Sequence, residues 1–329
     1  MKSSKTKLKF CVTGGTGFIG SNLIDILIKK KASILNLDLN KPIDPLHLKY
    51  WFKSDINNQK SFEKVLQEFN PDYLIHLAAD ATMDGRNLDD YKTNTVGVEN
   101  LINVINKLKE KLIFIAASSQ HVRKPGTYIY KSSKEYNPLG LYGESKVITE
   151  QLIMNSNLKQ KFFIIRPTLV WGPRNYMMAN AIFSYINKNI YYHPTNDNTV
   201  RAYGYVENLC DQILKLCYLD ESIDCEKILY LADHNMLQQE WITLATQFMG
   251  KGNLKTLPSL LLKIGSYFGD YIKPFYKKYP LYTERYLNLT TSNPIPLEKT
   301  FSIIGEPKIN IETGMQKTAA WLKKFYEVN

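Results

Sequence analysis

Thr13-Gly14-Gly15-Thr16-Gly17-Phe18-Ile19-Gly20 follows directly on the apolar run at 8–12. Gly14, Gly17 and Gly20 stand in a G-x-x-G-x-x-G spacing. Beyond them, Leu23, Ile24, Leu27 and Ile28 recur at helical intervals over 21–28. A strand that turns through glycines into a helix brings backbone N–H groups and a helix N-terminus to a pyrophosphate. Gly14 would allow the tight turn, Gly17 the close approach of the ligand, and Gly20 the packing of helix on strand. Phe18 and Ile19 open that helix. An ordinary glycine-rich turn is the competing reading, and the neighbouring sequence weighs against it.

Residues 33–38 read as a second buried strand, ending in Asp38, 18 positions after Gly20. A dinucleotide fold expects a carboxylate there for the adenosine ribose hydroxyls. Asp38 would repel a 2′-phosphate, so NAD is the expected cofactor rather than NADP. A turn role for Asp38 before Asn40-Lys41-Pro42 is the alternative.

The strand–helix alternation continues. Strands are expected at 50–52, 73–77, 112–116 and 162–165, and helices at 62–69, 94–108 and 142–154. Such alternation implies an α/β fold of Rossmann type, a doubly wound parallel sheet with helices on both faces. From Arg166-Pro167 onward the pattern loosens. One further strand is expected at 228–231, a mostly helical stretch at 254–288 and a last helix at 314–326. The expected organisation is a dinucleotide-binding domain at 1–170 and a smaller, interleaved α/β substrate domain at 171–329, with 200–232 returning to the main sheet.

With 329 residues, 44% hydrophobic and 22% charged, the chain has the composition of a globular protein with a sizeable core. The net charge of +11 comes from scattered lysines. It suits an anionic substrate or a membrane surface, and no motif speaks for nucleic acid. Cys11, Cys210, Cys217 and Cys225 show no C-x-x-C spacing, so reduced thiols in a cytoplasmic setting are expected and no metal site is. No apolar run reaches the roughly 18 residues of a membrane span. The stretch 257–282 is apolar, aromatic and basic, with Leu260, Leu261, Leu262, Ile264, Tyr267 and Phe268 ahead of Lys273, Lys277 and Lys278. It can pack within the protein, form a substrate lid or rest on a membrane surface.

The chemistry is expected from Tyr142-Gly143-Glu144-Ser145-Lys146. Positions i and i+4 share a helix face, so Lys146 can hold its ammonium near the Tyr142 phenol. That cation, with a positive nicotinamide ring, would lower the phenol pKa and let Tyr142 serve as general base toward a sugar hydroxyl. Lys146 would also hold the nicotinamide ribose. Ala116-Ala117-Ser118-Ser119-Gln120-His121 ends the fifth strand, where ligands of such sheets bind. A serine there can bond the reacting oxygen, and Ser119 is preferred over Ser118.

These stretches occur in an order that resembles the extended short-chain dehydrogenases/reductases. The set comprises the glycine loop, Asp38, Asp55-Ile56, His76-Leu77-Ala78-Ala79, Asn94-x-x-Gly97, Ser118-Ser119, Tyr142-x-x-x-Lys146 and Arg166-Pro167-x-x-Val170-Trp171-Gly172-Pro173. The nucleotide-sugar epimerase/dehydratase branch is the most similar. The likeness is close over 8–210, weak beyond, and resumes at 298–322. It implies that Asp55 and Ile56 flank the adenine. Leu77, Ala78, Ala79, Asn94, Pro167 and Val170 would lie along the cofactor. Arg201 would grip the diphosphate of a nucleotide sugar, with Ser118, Gln120 and His121 as further substrate contacts. It also implies a homodimer paired through the helices at 98–108 and 142–154. The chain departs from the 4,6-dehydratases, which carry an Asp-Glu pair after the catalytic serine or threonine. Gln120-His121 stands there, so dehydration is not expected. The expected activity is C4 epimerisation of a nucleotide-activated sugar through a transient keto-sugar. The alternative is an NAD(P)-dependent dehydrogenase or reductase of a keto-sugar or hydroxysteroid-like substrate.

Overall fold

In the computed structural model, which describes residues 7–126, 132–220, 223, 225–272, 275 and 281–328, strand β1 (Lys9–Thr13) turns through the glycine loop into helix α1 (Phe18–Lys29). Gly14 adopts φ 72°, a region that L side chains rarely visit. A Cβ on Gly20 would lie 2.2 Å from the Gly14 carbonyl oxygen. The first turn of α1 therefore sits on the loop only because Gly20 carries no side chain.

The chain continues through β2 (Ser33–Asp38), β3 (Trp51–Lys53), α2 (Glu63–Phe69), β4 (Tyr73–His76), α3 (Val96–Ile105), β5 (Ile113–Ala117), α4 (Gly140–Met154) and β6 (Lys161–Pro167). Then come β7 (Leu169–Trp171), α5 (Tyr176–Asn180), α6 (Ile182–Asn187), β8 (His193–Pro194), β9 (Val200–Tyr205), α7 (Val206–Cys217) and β10 (Ile228–Leu231). The last elements are β11 (His234–Leu237), α8 (Gln238–Phe248), β12 (Thr256–Leu257), α9 (Ser259–Ile272), α10 (Thr283–Thr290), α11 (Glu298–Ile304) and α12 (Ile311–Val328).

Seven strands form one parallel sheet in the order β10-β6-β5-β4-β1-β2-β3. Because side chains alternate along a strand, the sheet feeds two apolar layers. Phe10, Val12, Ile75, Ile115 and Ile165 enter the layer shared with α1 and α7. Cys11, Leu35, Leu74, Phe114 and Ile164 enter the layer shared with α2, α3 and α4. Strand order reverses between β1 and β4, and a ligand crevice is expected at the carboxyl ends of strands flanking such a point.

A three-stranded sheet, β11-β9-β7, carries the other half. Its core is aromatic, with Tyr203 stacked on Trp241 at 4.9 Å and Trp171 5.8 Å from Trp241. Within 200–232, β10 does join the large sheet, but β9 belongs to the smaller one, and α7 packs on α1. Where one helix over 94–108 is expected, a 3-10 turn at Leu88–Asn94 precedes α3. The Asn94 amide donates to Asp80 O at 2.8 Å and to Ser145 Oγ at 2.9 Å, which holds the chain off the helical path. The stretch 254–288 resolves into β12, α9 and α10, while Lys273, Lys277 and Lys278 lie outside the described residues. Cys11, Cys210 and Cys217 are buried free thiols. Among the described residues no helix is long and apolar enough to cross a membrane.

Candidate active site

Helix α4 presents Tyr142, Lys146 and Glu150 one turn apart, and its position is set from two sides. Ser145 Oγ donates to Tyr142 O at 2.8 Å and accepts from Asn94, while Thr149 Oγ1 donates to Asn94 O at 2.5 Å. A Cβ on Gly143 would lie 2.3 Å from His121 O, so the first turn of α4 presses directly on the loop after β5.

The structure separates the two serines of that loop. The Ser119 hydroxyl is hydrogen-bonded to the Tyr142 phenol. The Ser118 hydroxyl is buried and donates to Glu150 Oε1 at 2.6 Å. The protein's own groups hold the Tyr142 phenol above its ordinary value, whereas the expected lowering counted the nicotinamide charge as well. Burial pushes its pKa up, the Ser119 bond opposes that, and Tyr91 and Asp80 add to the rise. The Lys146 ammonium is buried and donates to Ala117 O at 2.9 Å. Burial pulls Lys146 down to about 8, and the Glu150 charge acts against the fall.

Glu150 is a centre that the sequence reading did not identify. Its carboxylate accepts from Arg166 Nε and Nη2, each at 2.7 Å, from the Tyr136 hydroxyl at 3.0 Å and from Ser118. The available signal was its spacing, four residues past Lys146. Asp80 and Tyr91 beside Tyr142 were likewise missed.

Past Ser119, Gln120 Oε1 accepts from Asn293 Nδ2 at 3.2 Å. Asn293 lies far along the chain and no sequence signal pointed to it. The His121 ring meets Tyr142 edge-on at 5.7 Å. Burial, helped by the Arg201 charge, lowers His121 to about 4, and its Nδ1 is buried with no partner among the described residues. Arg201 sits on β9, buried, with Nε and Nη2 likewise unpartnered. Arg174, beside Pro173, serves the scaffold instead. Its guanidinium pairs with Asp25 at 2.6 Å and Asp44 at 3.4 Å, in the spot where Asp25, Asp44 and His47 converge.

The opposite end of the crevice has the features a dinucleotide needs. The N-terminus of α1 has Gly17 as its cap residue and no side-chain acceptor, so its orphan N–H groups face the loop free for phosphate. A Cβ on Gly14 would lie 2.5 Å from Ala78 N, which places the loops after β1 and β4 in contact. Leu77 and Ala79 flank that contact, and Leu77 N donates to Thr13 O at 3.0 Å. Asp38 ends β2 and accepts from the Thr16 and Asn40 amides, each at 2.9 Å. A carboxylate has about four acceptor sites, so capacity remains for ribose hydroxyls. Ile56 is buried, with its carbonyl held by Asn100 at 2.9 Å, and Asp55 accepts from Asn57 N at 2.9 Å. Pro167 and Val170, at the end of β6 and on β7, are half-buried. Asn94 is 1% exposed, with its amide fully engaged by Asp80 and Ser145.

Asp38→Asn should raise NADP affinity relative to NAD by about tenfold, since it removes the charge opposing a 2′-phosphate and weakens the charged bonds to ribose. Equilibrium titration with both cofactors measures the ratio, and an unchanged ratio would exclude Asp38 from that role.

The model of the NAD dependent epimerase/dehydratase family matches residues 10–229. GDP-6-deoxy-D-talose 4-dehydrogenase of Aggregatibacter actinomycetemcomitans is 27% identical over 218 residues, covering 64% of this chain and 70% of that protein. UDP-glucose 4-epimerase of Lactobacillus helveticus is 25% identical over 233 residues, covering 62% and 70%. In fold, the chain is similar to the crystal structure of UDP-glucose 4-epimerase from Thermotoga maritima, with TM-score 0.74 and 19% identity over 97% of this chain and 100% of that one.

Proposed function

The chain belongs to the NAD dependent epimerase/dehydratase family, enzymes with NAD as cofactor, and from that premise we propose that it epimerises a nucleotide-activated sugar by transient oxidation at C4. The observation that carries the reading is the buried guanidinium of Arg201, whose Nε and Nη2 have no hydrogen-bond partner among the described residues and whose charge reaches His121 against the Tyr142 ring. Buried guanidinium N–H donors left unpaired are costly, even with the Asp197 charge nearby, and the planar fork fits the oxygens of a diphosphate. The sugar of a nucleotide diphosphate held there would extend toward the phenol.

NAD, when bound along Gly14, Gly17, Gly20 and Asp38, supplies the reversible hydride acceptor and a positive ring charge. The chain's own part is proton handling and positioning. Tyr142 accepts the proton of the C4 hydroxyl and returns it in the reverse direction, with Ser119 holding the phenol oxygen in place. Lys146, charged below about pH 8, supplies the fixed cation that favours the phenolate. With its pKa near 4, His121 is neutral at pH 7 and serves as a hydrogen-bond partner to the sugar rather than as an acid. Gln120 offers no acidic proton, which speaks against water elimination. In this reading residues 1–170 hold NAD, 171–329 mainly hold the sugar nucleotide, and two copies pair through α3 and α4.

A second reading, net oxidation or reduction with exchangeable cofactor, is favoured by the resemblance to a GDP-sugar 4-dehydrogenase. Incubation of the purified protein with UDP-, GDP-, CDP- and dTDP-sugars, without added NAD or NADH, separates the two. Epimer formation with no net change in reduced-nicotinamide absorbance is the expected result. Turnover only with stoichiometric added cofactor would overturn epimerisation in favour of the second reading.

A further inference from the structure

Helix α9 turns its large apolar side chains outward. Leu262, Ser266 and Gly269 form its buried face, and Asp270 on its flank accepts from Thr283 N at 3.1 Å and from the Thr283 hydroxyl at the start of α10. At 3.6 residues per turn, Leu260, Leu261, Ile264, Tyr267, Phe268 and Tyr271 fall on the opposite stripe. All six are exposed, Leu260 at 67%, Phe268 at 64% and Tyr271 at 81%. Phe275, just beyond the helix, is 87% exposed. Burying such side chains gains roughly 1.5–3 kcal/mol each, so a continuous outward stripe of them calls for a cover.

The surrounding sequence says what kind. Residues 251–282 carry six lysines, Lys251, Lys255, Lys263, Lys273, Lys277 and Lys278, and one acidic residue, Asp270. Asp270 offsets one of those charges, leaving an excess of five. The chain as a whole is +11. A second copy of the same face would bring two sets of lysines together, which like-charge repulsion opposes. An apolar and aromatic stripe within a lysine-rich stretch of sequence instead matches an interfacial helix, whose rings enter the headgroup region while cations meet anionic lipid. At 14 residues the helix is too short to span a bilayer, which needs about 20.

We propose that the outer face of α9 docks the protein onto an anionic lipid surface, in the plane of the headgroups. The proposal stands apart from the sugar chemistry and is tested without it. Full-length protein is floated with phosphatidylcholine vesicles, with and without phosphatidylserine. The expected result is co-flotation with the phosphatidylserine vesicles, reduced at high salt. Phe268→Ser combined with Tyr271→Ser should weaken it roughly tenfold or more, as should Lys273→Glu with Lys277→Glu and Lys278→Glu. The substituted aromatic positions are exposed, and circular dichroism confirms that the variants remain folded. No flotation of the wild type, equal flotation with both vesicle types, or undiminished flotation of the aromatic variant would each overturn the proposal. A wild-type dimer by sedimentation that the aromatic variant converts to monomer would also overturn it, in favour of self-association.

Discussion

Tyr142→Phe should lower turnover by about 10²–10⁴-fold, the usual worth of a positioned proton-transfer group, while NAD stays bound. The substitution deletes one oxygen from a half-buried ring whose hydroxyl is bonded to Ser119. It leaves intact the Ser145 and Asn94 bonds that hold α4 in place. Loss of rate with retained cofactor therefore isolates the proton step. Single-turnover measurement of substrate oxidation is the direct check, and a variant rate within a factor of about three of wild type would remove Tyr142 from that step. The pH profile carries an independent signature. Burial raises the Tyr142 phenol, so its deprotonation limits the rate on the acid side. Lys146 is lowered to about 8 by burial, so its charge is lost as pH rises through that value. With the phenol above its ordinary value and Lys146 near 8, activity should rise with pH and level off near pH 8, and Lys146→Met should remove that break along with most of the rate.

How far the sequence carries depends on the range of the interactions. The glycine loop, the parallel sheet and the Tyr142–Lys146 pair are local patterns. Period-two alternation and the i, i+4 rule act within a few residues, and the observed strands β1, β2, β4, β5 and β6 lie within two residues of their expected ends. Of the two serines after β5, Ser119 is bonded to Tyr142 and Ser118 to Glu150. What was not legible comes from groups that meet only after folding. Asn293 reaches Gln120 across 173 positions of sequence. The bonds between Asn94 and Asp80 keep Asn94 in a 3-10 turn and delay the start of α3 to Val96, two residues past its expected start. Residue spacing cannot weigh the desolvation that raises the Tyr142 phenol. It places Lys146 on the same face, but not its ammonium on the Ala117 carbonyl.

Glu150→Ala should be the most destabilising single change in the neighbourhood of the site, by about 3–5 kcal/mol, the cost of leaving a buried charge without its partner. Glu150 and Arg166 both have side chains with 0% exposure, joined at 2.7 Å. After truncation the guanidinium would keep only the Tyr230 hydroxyl at 3.0 Å and Ser133 O at 2.7 Å. Nor can it escape by losing its proton. Burial alone would lower the Arg166 pKa, but the bonds and charge of Glu150 outweigh it and hold the group above its ordinary value. Even without that support, guanidinium stays protonated at any pH the fold tolerates. Glu150→Gln keeps an acceptor for one of the two Arg166 donors and removes the charge, so an intermediate loss is expected. The double variant Glu150→Leu with Arg166→Leu removes both charges and should recover much of the stability lost by Glu150→Ala. Urea unfolding midpoints at constant slope measure all three. Glu150 also acts against the fall in Lys146 pKa, so in the Gln variant the pH at which activity levels off should move lower. A Glu150→Ala loss under about 1 kcal/mol, or a double variant no more stable than the single one, would show that the buried pair is not what holds β5, β6 and α4 together beneath the site.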